Sequence, residues 1–197
     1  MSLEEINQHE RDLRIDFNEA DHIYAIDGEF GYTSVTQYLH GLFEQFNEDL
    51  IISRMMNSKR FSKSAYAGMT VGEIKDQWET NRVTASDAGT KLHADIEHFY
   101  NDAPRENTSK EYGFFLDFAD KFSHLRPYRT EWCVFDTNLK LAGSIDMVFY
   151  NEITGKYDIY DWKRCKCIEK TSKWGKWSTH PLIDYVPDTN FWHYCLQ

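Results

Sequence analysis

No apolar run in this 197-residue chain approaches the roughly 20 residues needed to span a bilayer, which excludes a hydrophobic transmembrane helix. The opening MSLEEINQHERDLRIDF has neither the basic lead nor the apolar stretch of a secretory signal. The expected location is therefore intracellular, with no membrane partner. Cysteine is scarce: four residues, Cys133, Cys165, Cys167 and Cys195, form no C-x-x-C pair and have no matching His pair. That excludes zinc-ribbon and zinc-finger spacing and leaves reduced, structural thiols. Internal repeats and low-complexity linkers are absent too. Positive charge is in deficit, with 22 basic against 32 acidic residues and a net charge of −10, which argues against indiscriminate nucleic-acid binding.

What is present is the composition of a folded protein, 41% hydrophobic and 16% aromatic, in a chain long enough for one domain with its own core. The mean charge conceals a local reversal. Lys163, Arg164, Lys166, Lys170, Lys173 and Lys176 face a single acid, Glu169, so this segment carries +5 and the remainder −15. Trp174 and Trp177 lie in or beside it. Basic residues interleaved with aromatics can hold phosphates and stack on unpaired bases; a solvated loop is the alternative for the same residues.

Hydrophobic period divides the chain. RIDF and HIYAI, separated by NEAD, suggest a small hairpin, and TSVTQYLHGLFEQF begins a helix with Val35, Tyr38, Leu39 and Leu42 on one side. EDLIISRMM reads as a further helix. Thr70 and Glu73 stand in capping-box spacing, so another starts near residue 71. A separate helix is expected over Asp87–Asn101, capped by Ser86 with Leu92, Ile96 and Phe99 inward, and one more over Glu111–Ser123. After Pro127 the period becomes two: YRTEWCVFD, LKLAGSIDMVFY and GKYDIYDWK are three successive strands, and TNFWHYCLQ resembles the first turns of a helix. The expected class is α+β: an antiparallel three-strand meander flanked by helices, with a helical N-terminal part (1–85) packed on the core (86–197).

The turn NEITGK sets a register. A four-residue loop, Glu152 to Gly155, ends on a left-handed position that glycine adopts without steric cost, and it pairs Asn151 with Lys156. Counting along the ladder places Asp146 opposite Asp161, with Lys163 on the same face. A three-residue loop would instead send the carboxylates to opposite faces. Facing carboxylates repel unless one is protonated or a cation lies between them, and Mg²⁺ or Mn²⁺ suits such oxygen ligands.

These residues carry a resemblance. GSIDMVFY followed by YDIYDWK resembles the Asp…(Asp/Glu)-x-Lys signature of the PD-(D/E)xK nuclease superfamily, and GTKLHADIEHFY with EWCVF is similar to its RecB-like, phage-exonuclease-like branch. The likeness spans Ser86 to Gln197. It implies a restriction-endonuclease-like core that hydrolyses DNA phosphodiester bonds, from an end, in replication, recombination or repair. It also implies a Mg²⁺ or Mn²⁺ ion on His93, Asp146, Asp161 and the Trp162 carbonyl, with Lys163 orienting the attacking water. Glu131, Glu97 and Gln197 are further candidates, and Arg164, Lys166, Lys170, Lys173, Trp174 and Lys176 would contact nucleic acid. The branch usually continues through a Q-x-x-x-Y helix and another strand, so the chain reads either as a fragment truncated at the C-terminus or as a protein that completes its sheet otherwise. An RNA endonuclease of the cap-snatching type and a nucleic-acid-binding module without turnover are the alternatives. The family's clustered iron–sulfur cysteines are not found.

Overall fold

Gly155 closes the central hairpin. With φ at +66° its N–H donates to the Asn151 carbonyl at 2.8 Å, while the Asn151 side-chain oxygen accepts from the amides of Ile153 and Thr154. The turn is four residues long, and the pairs run from Asn151 with Lys156 to Met147 with Tyr160. The register expected from NEITGK is the one observed.

The computed structural model describes all 197 residues. Its principal elements are α1 (Leu3–Ile6), β1 (Ile15–Asn18), β2 (Ile23–Ile26), β3 (Thr33–Ser34), α2 (Val35–His40), α3 (Glu48–Met56), α4 (Val71–Tyr100), α5 (Lys110–Lys121), β4 (Leu125–Asp136), β5 (Leu141–Asn151), β6 (Lys156–Tyr160) and α6 (Asn190–Leu196). The class is α+β. β1 and β2 form the N-terminal hairpin. β5 is the spine of a mixed four-stranded sheet: β4 runs antiparallel along its whole length, β6 pairs antiparallel with its C-terminal half, and β3 adds two parallel residues at its start. The parallel contribution departs from a purely antiparallel expectation. Two residues carry too little periodicity to announce a strand.

β6 stops at Tyr160, one residue short of Asp161. Asp146 and Asp161 are therefore not ladder partners, which corrects the expected pairing. Where the ladder ends, the Asp146 carboxylate accepts the Trp162 backbone N–H at 2.7 Å, so the chain continues past β6 anchored by a side chain.

The two helices expected around Ser86 are one. α4 runs for 30 residues, about 45 Å at 1.5 Å per residue, from the capping box at Thr70 and Glu73. Ile74 near its start and Leu92 and Ile96 near its end are all buried, so packing at both ends carries the helix through Ser86 and Gly89. The boundary between the N-terminal part and the core falls inside this helix. α2, by contrast, ends after six residues, at His40.

α4 and α5 pack through Leu92, Ile96, Tyr112 and Phe115. Beneath them lie Leu125, Met147 and Phe149 from the sheet, with Tyr100, Phe118, Tyr160 and Trp162 around them. Many of these rings meet edge to face, a favoured aromatic geometry. A third cluster, Tyr24, Ile26, Phe135 and Ala142, joins the β1–β2 hairpin to the far end of the β4–β5 ladder. The N-terminal segment is also fastened by Arg129, only 3% exposed, whose Nη1 donates to Asp12 at 2.6 Å and to the Asn7 carbonyl at 3.0 Å. From Asp161 to Thr189 no helix or strand forms; Ser178 and Thr179 tie this segment to the Leu42 carbonyl. No helix is long and apolar enough to cross a membrane.

Candidate metal centre

Three elements bring three side chains together. α4 supplies His93, β4 supplies Glu131 and β5 supplies Asp146, with one ligand atom of each lying within 4.8 Å of the others. The β4–β5 register, Thr130 with Met147 and Trp132 with Ile145, places Glu131 opposite Asp146. Glu131 has φ of +43°, an unusual conformation for a non-glycine residue in a strand. Such strain persists only where surroundings hold it, and it clusters at functional sites. Ser144 on β5 donates its hydroxyl to Glu131 at 3.3 Å.

His93 is oriented by its second nitrogen. Nε2 lies 2.8 Å from the Trp162 carbonyl, which can only accept, so Nε2 carries the proton. Nδ1 then faces Glu131 Oε1 at 3.6 Å and Asp146 Oδ2 at 3.7 Å. A neutral imidazole thus presents a lone pair to two carboxylates. That arrangement needs either a proton on Nδ1 or a cation among the three. The Glu131 carboxylate beside Nδ1 raises the His93 pKa, opposed by burial and reinforced by the Asp146 charge. Burial pushes Asp146, 9% exposed, up to about 6; His93 and the Trp162 N–H pull against it, while the charges of Asp161 and Glu131 add to it. One imidazole nitrogen and two carboxylate oxygens suit a divalent cation, and a backbone carbonyl on the far imidazole nitrogen is the usual outer partner of a metal-binding histidine.

The other expected site residues are distributed around this centre. Glu97, one helical turn beyond His93, lines the same cleft; burial and then the charge of Glu131 raise its pKa. The Trp162 carbonyl is engaged by His93. Asp161 does not join the three ligands: its Oδ1 lies 2.8 Å from Lys163 Nζ and 3.4 Å from Gln197 Nε2. Asp161 and Lys163 line a different hollow, of about 510 Å³, between α5 and a neighbouring stripe of α4. Of the five basic residues in the positive segment besides Lys163, three are already paired: Arg164 with Glu111, Lys173 with Glu169 and Lys176 with Glu44. Lys166 makes no ion pair, Lys170 lies over the Phe191 ring, and Trp174 is 88% exposed.

Sequence reasoning missed Ser144 and the hairpin residues Phe17, His22 and Tyr24, which line the cleft holding His93 and Glu131. The hairpin lies some seventy residues from His93, and only tertiary packing reveals the proximity. No known protein-family model matches this chain, and neither a curated protein nor a solved structure does.

Proposed function

We propose that the protein is a divalent-metal-dependent nuclease that hydrolyses DNA phosphodiester bonds, acting from an end in replication, recombination or repair. The observation that carries this reading is the convergence of His93 Nδ1, Glu131 and Asp146, with the imidazole fixed from behind by the Trp162 carbonyl. The antiparallel pairing of β4, β5 and β6 beneath α4 is also what a restriction-endonuclease-like core would require. A bound Mg²⁺ or Mn²⁺ would hold the scissile phosphate, lower the pKa of the attacking water and stabilise charge on the leaving oxygen.

The chain's own residues divide the remaining work. Glu131 and Asp146 offer negative charge to the ion, and His93 adds a softer donor. Lys163, paired with Asp161 in the adjoining hollow, would have to swing from that pair toward the centre to place a positive charge beside the phosphate and help orient water. Hydrolysis adds water across one P–O bond and leaves a phosphate monoester and a free hydroxyl. The test is cleavage of end-labelled single- and double-stranded DNA, with RNA alongside, in Mg²⁺, Mn²⁺ and EDTA. Metal-dependent cleavage abolished by Asp146→Asn supports the reading. Activity that persists in that variant contradicts it, and a preference for RNA moves the substrate assignment to the cap-snatching type.

A binding module without turnover is the second reading. It draws on one feature: Asp161 and Lys163 are closed on each other in a separate hollow.

A further inference from the structure

The cleft of about 440 Å³ that opens on His93 and Glu131 has the N-terminal hairpin as its opposite wall. There Phe17 and Tyr24 stack at 4.4 Å, and His22 meets them edge-on at 5.2 and 5.9 Å. Tyr24 is buried, but His22 at the tip is exposed and holds φ at +53°, a conformation that costs a non-glycine residue free energy. The turn is braced by Asn18, which bonds both the amide and the carboxylate of Asp21. An aromatic edge is therefore held over the cleft mouth at some expense to the chain.

Gly89 forms part of the facing wall, in the middle of a 30-residue helix. Interior glycine destabilises a helix, and here no packing constraint calls for it: a Cβ built at Gly89 would meet nothing within 4 Å. The space it leaves belongs to the cleft. The charge of the walls narrows what can fill that space. Glu19, Glu97 and Glu131 line it, and no lysine or arginine does. Such a cleft repels phosphate except at a bound cation and admits an uncharged ring.

We propose that this cleft seats one unpaired nucleobase of a single-stranded DNA end, its ring against Phe17 and His22 and its sugar over Gly89, with the adjoining phosphate at the His93 centre. This rests on the nuclease reading and deepens it. A base within a duplex has both faces covered by its neighbours, whereas an unpaired base offers a face to aromatic side chains. The hairpin thus selects strand ends or single strands, and the basic segment after Lys163 is left to track the remaining phosphates.

The test is fluorescence anisotropy of a labelled single-stranded oligodeoxynucleotide, and of the same sequence as a blunt duplex, against the full chain in Ca²⁺, a hard cation that takes the same oxygen ligands, with the oligonucleotide checked to be uncut at the end of each titration. His22→Gly removes the ring and relieves the positive φ, and Gly89→Leu fills the cleft while improving helix propensity. Both variants are expected to melt at or above the wild-type temperature yet bind single strands about fivefold or more weakly, the range of one lost base stack. Wild-type affinity in both variants, affinity lost only in step with a lower melting temperature, or equal wild-type affinity for duplex and single strand overturns the proposal. The two readings fail separately. DNA cut by a protein whose variants bind normally removes the cleft assignment alone, and weakened variants of a protein that cuts nothing in Mn²⁺ remove hydrolysis alone.

Discussion

Trp162 is held at both ends of its backbone by the candidate centre: its N–H donates to Asp146 at 2.7 Å and its carbonyl accepts from His93 at 2.8 Å. This residue, two beyond the end of β6, thereby positions a candidate ligand from the sheet and another from α4. The same contacts leave Asp146 with two oxygens, one hydrogen-bonded donor and two acidic neighbours in a buried place.

That burial has a measurable cost. A carboxyl held at about 6, against an ordinary 3.8, favours the folded state when protonated. The penalty is absent below about pH 4, grows through pH 6 and is complete above it, on the order of 3 kcal/mol. His93 acts in the same direction, since its raised pKa gives stability that is present in acid and lost as pH rises through the folded value. Asp146→Asn in EDTA is therefore expected to be more stable than wild type at pH 8 and not at pH 4. Urea denaturation at the two pH values checks this; a variant less stable at pH 8 counts against it.

Arg129 fixes the N-terminal segment to β4. Its guanidinium also lies 4.8 Å from the Trp132 ring, and Trp132 Nε1 donates to the same Asp12 carboxylate at 2.8 Å. Burial tends to raise the Asp12 pKa, but the hydrogen bonds from Arg129 and Trp132 bring it below the ordinary value. Breaking a buried pair by removing one partner costs about 3–5 kcal/mol, so Arg129→Ala is expected to lose that much. Arg129→Lys, unable to reproduce the fork, should recover only part. Thermal melts measure both.

Lys163 and the candidate metal ligands separate experimentally. Lys163→Ala is expected to lower cleavage by about 10²-fold or more, the range for a lost acid–base or orienting group, while Mn²⁺ affinity stays near that of wild type because Lys163 lies outside the three ligands. A parallel loss of metal affinity would place Lys163 in a different role.

Much of the sheet is legible from local signals. Alternation in three successive segments specifies β4, β5 and β6, and one glycine at the end of NEITGK specifies the register of the β5–β6 hairpin. His93, Asp146 and Glu131 could be nominated, although the grouping of Asp146 with His93 and Glu131, and without Asp161, could not. It depends on where the ladder ends: past Tyr160 the Trp162 backbone bonds the Asp146 and His93 side chains and not a strand. The fusion of two expected helices into α4 has a similar cause. Ser86 is a competent cap in isolation, but packing at Ile74 and Ile96 outweighs local preference. β3 is too short to leave a periodic trace, and the hairpin of β1 and β2, though legible as a hairpin, comes to face His93 only through long-range packing.

The most direct measurement is calorimetric titration of Mn²⁺ into the metal-free protein, with His93→Ala, Glu131→Gln and Asp146→Asn alongside. Binding is expected to strengthen as pH rises through 6, because Asp146 must lose its proton to serve as a ligand. The account predicts specific binding in the wild type that each of the three substitutions weakens severely. Wild-type protein that takes up no Mn²⁺, or variants that bind it unchanged, would contradict a metal centre at these residues.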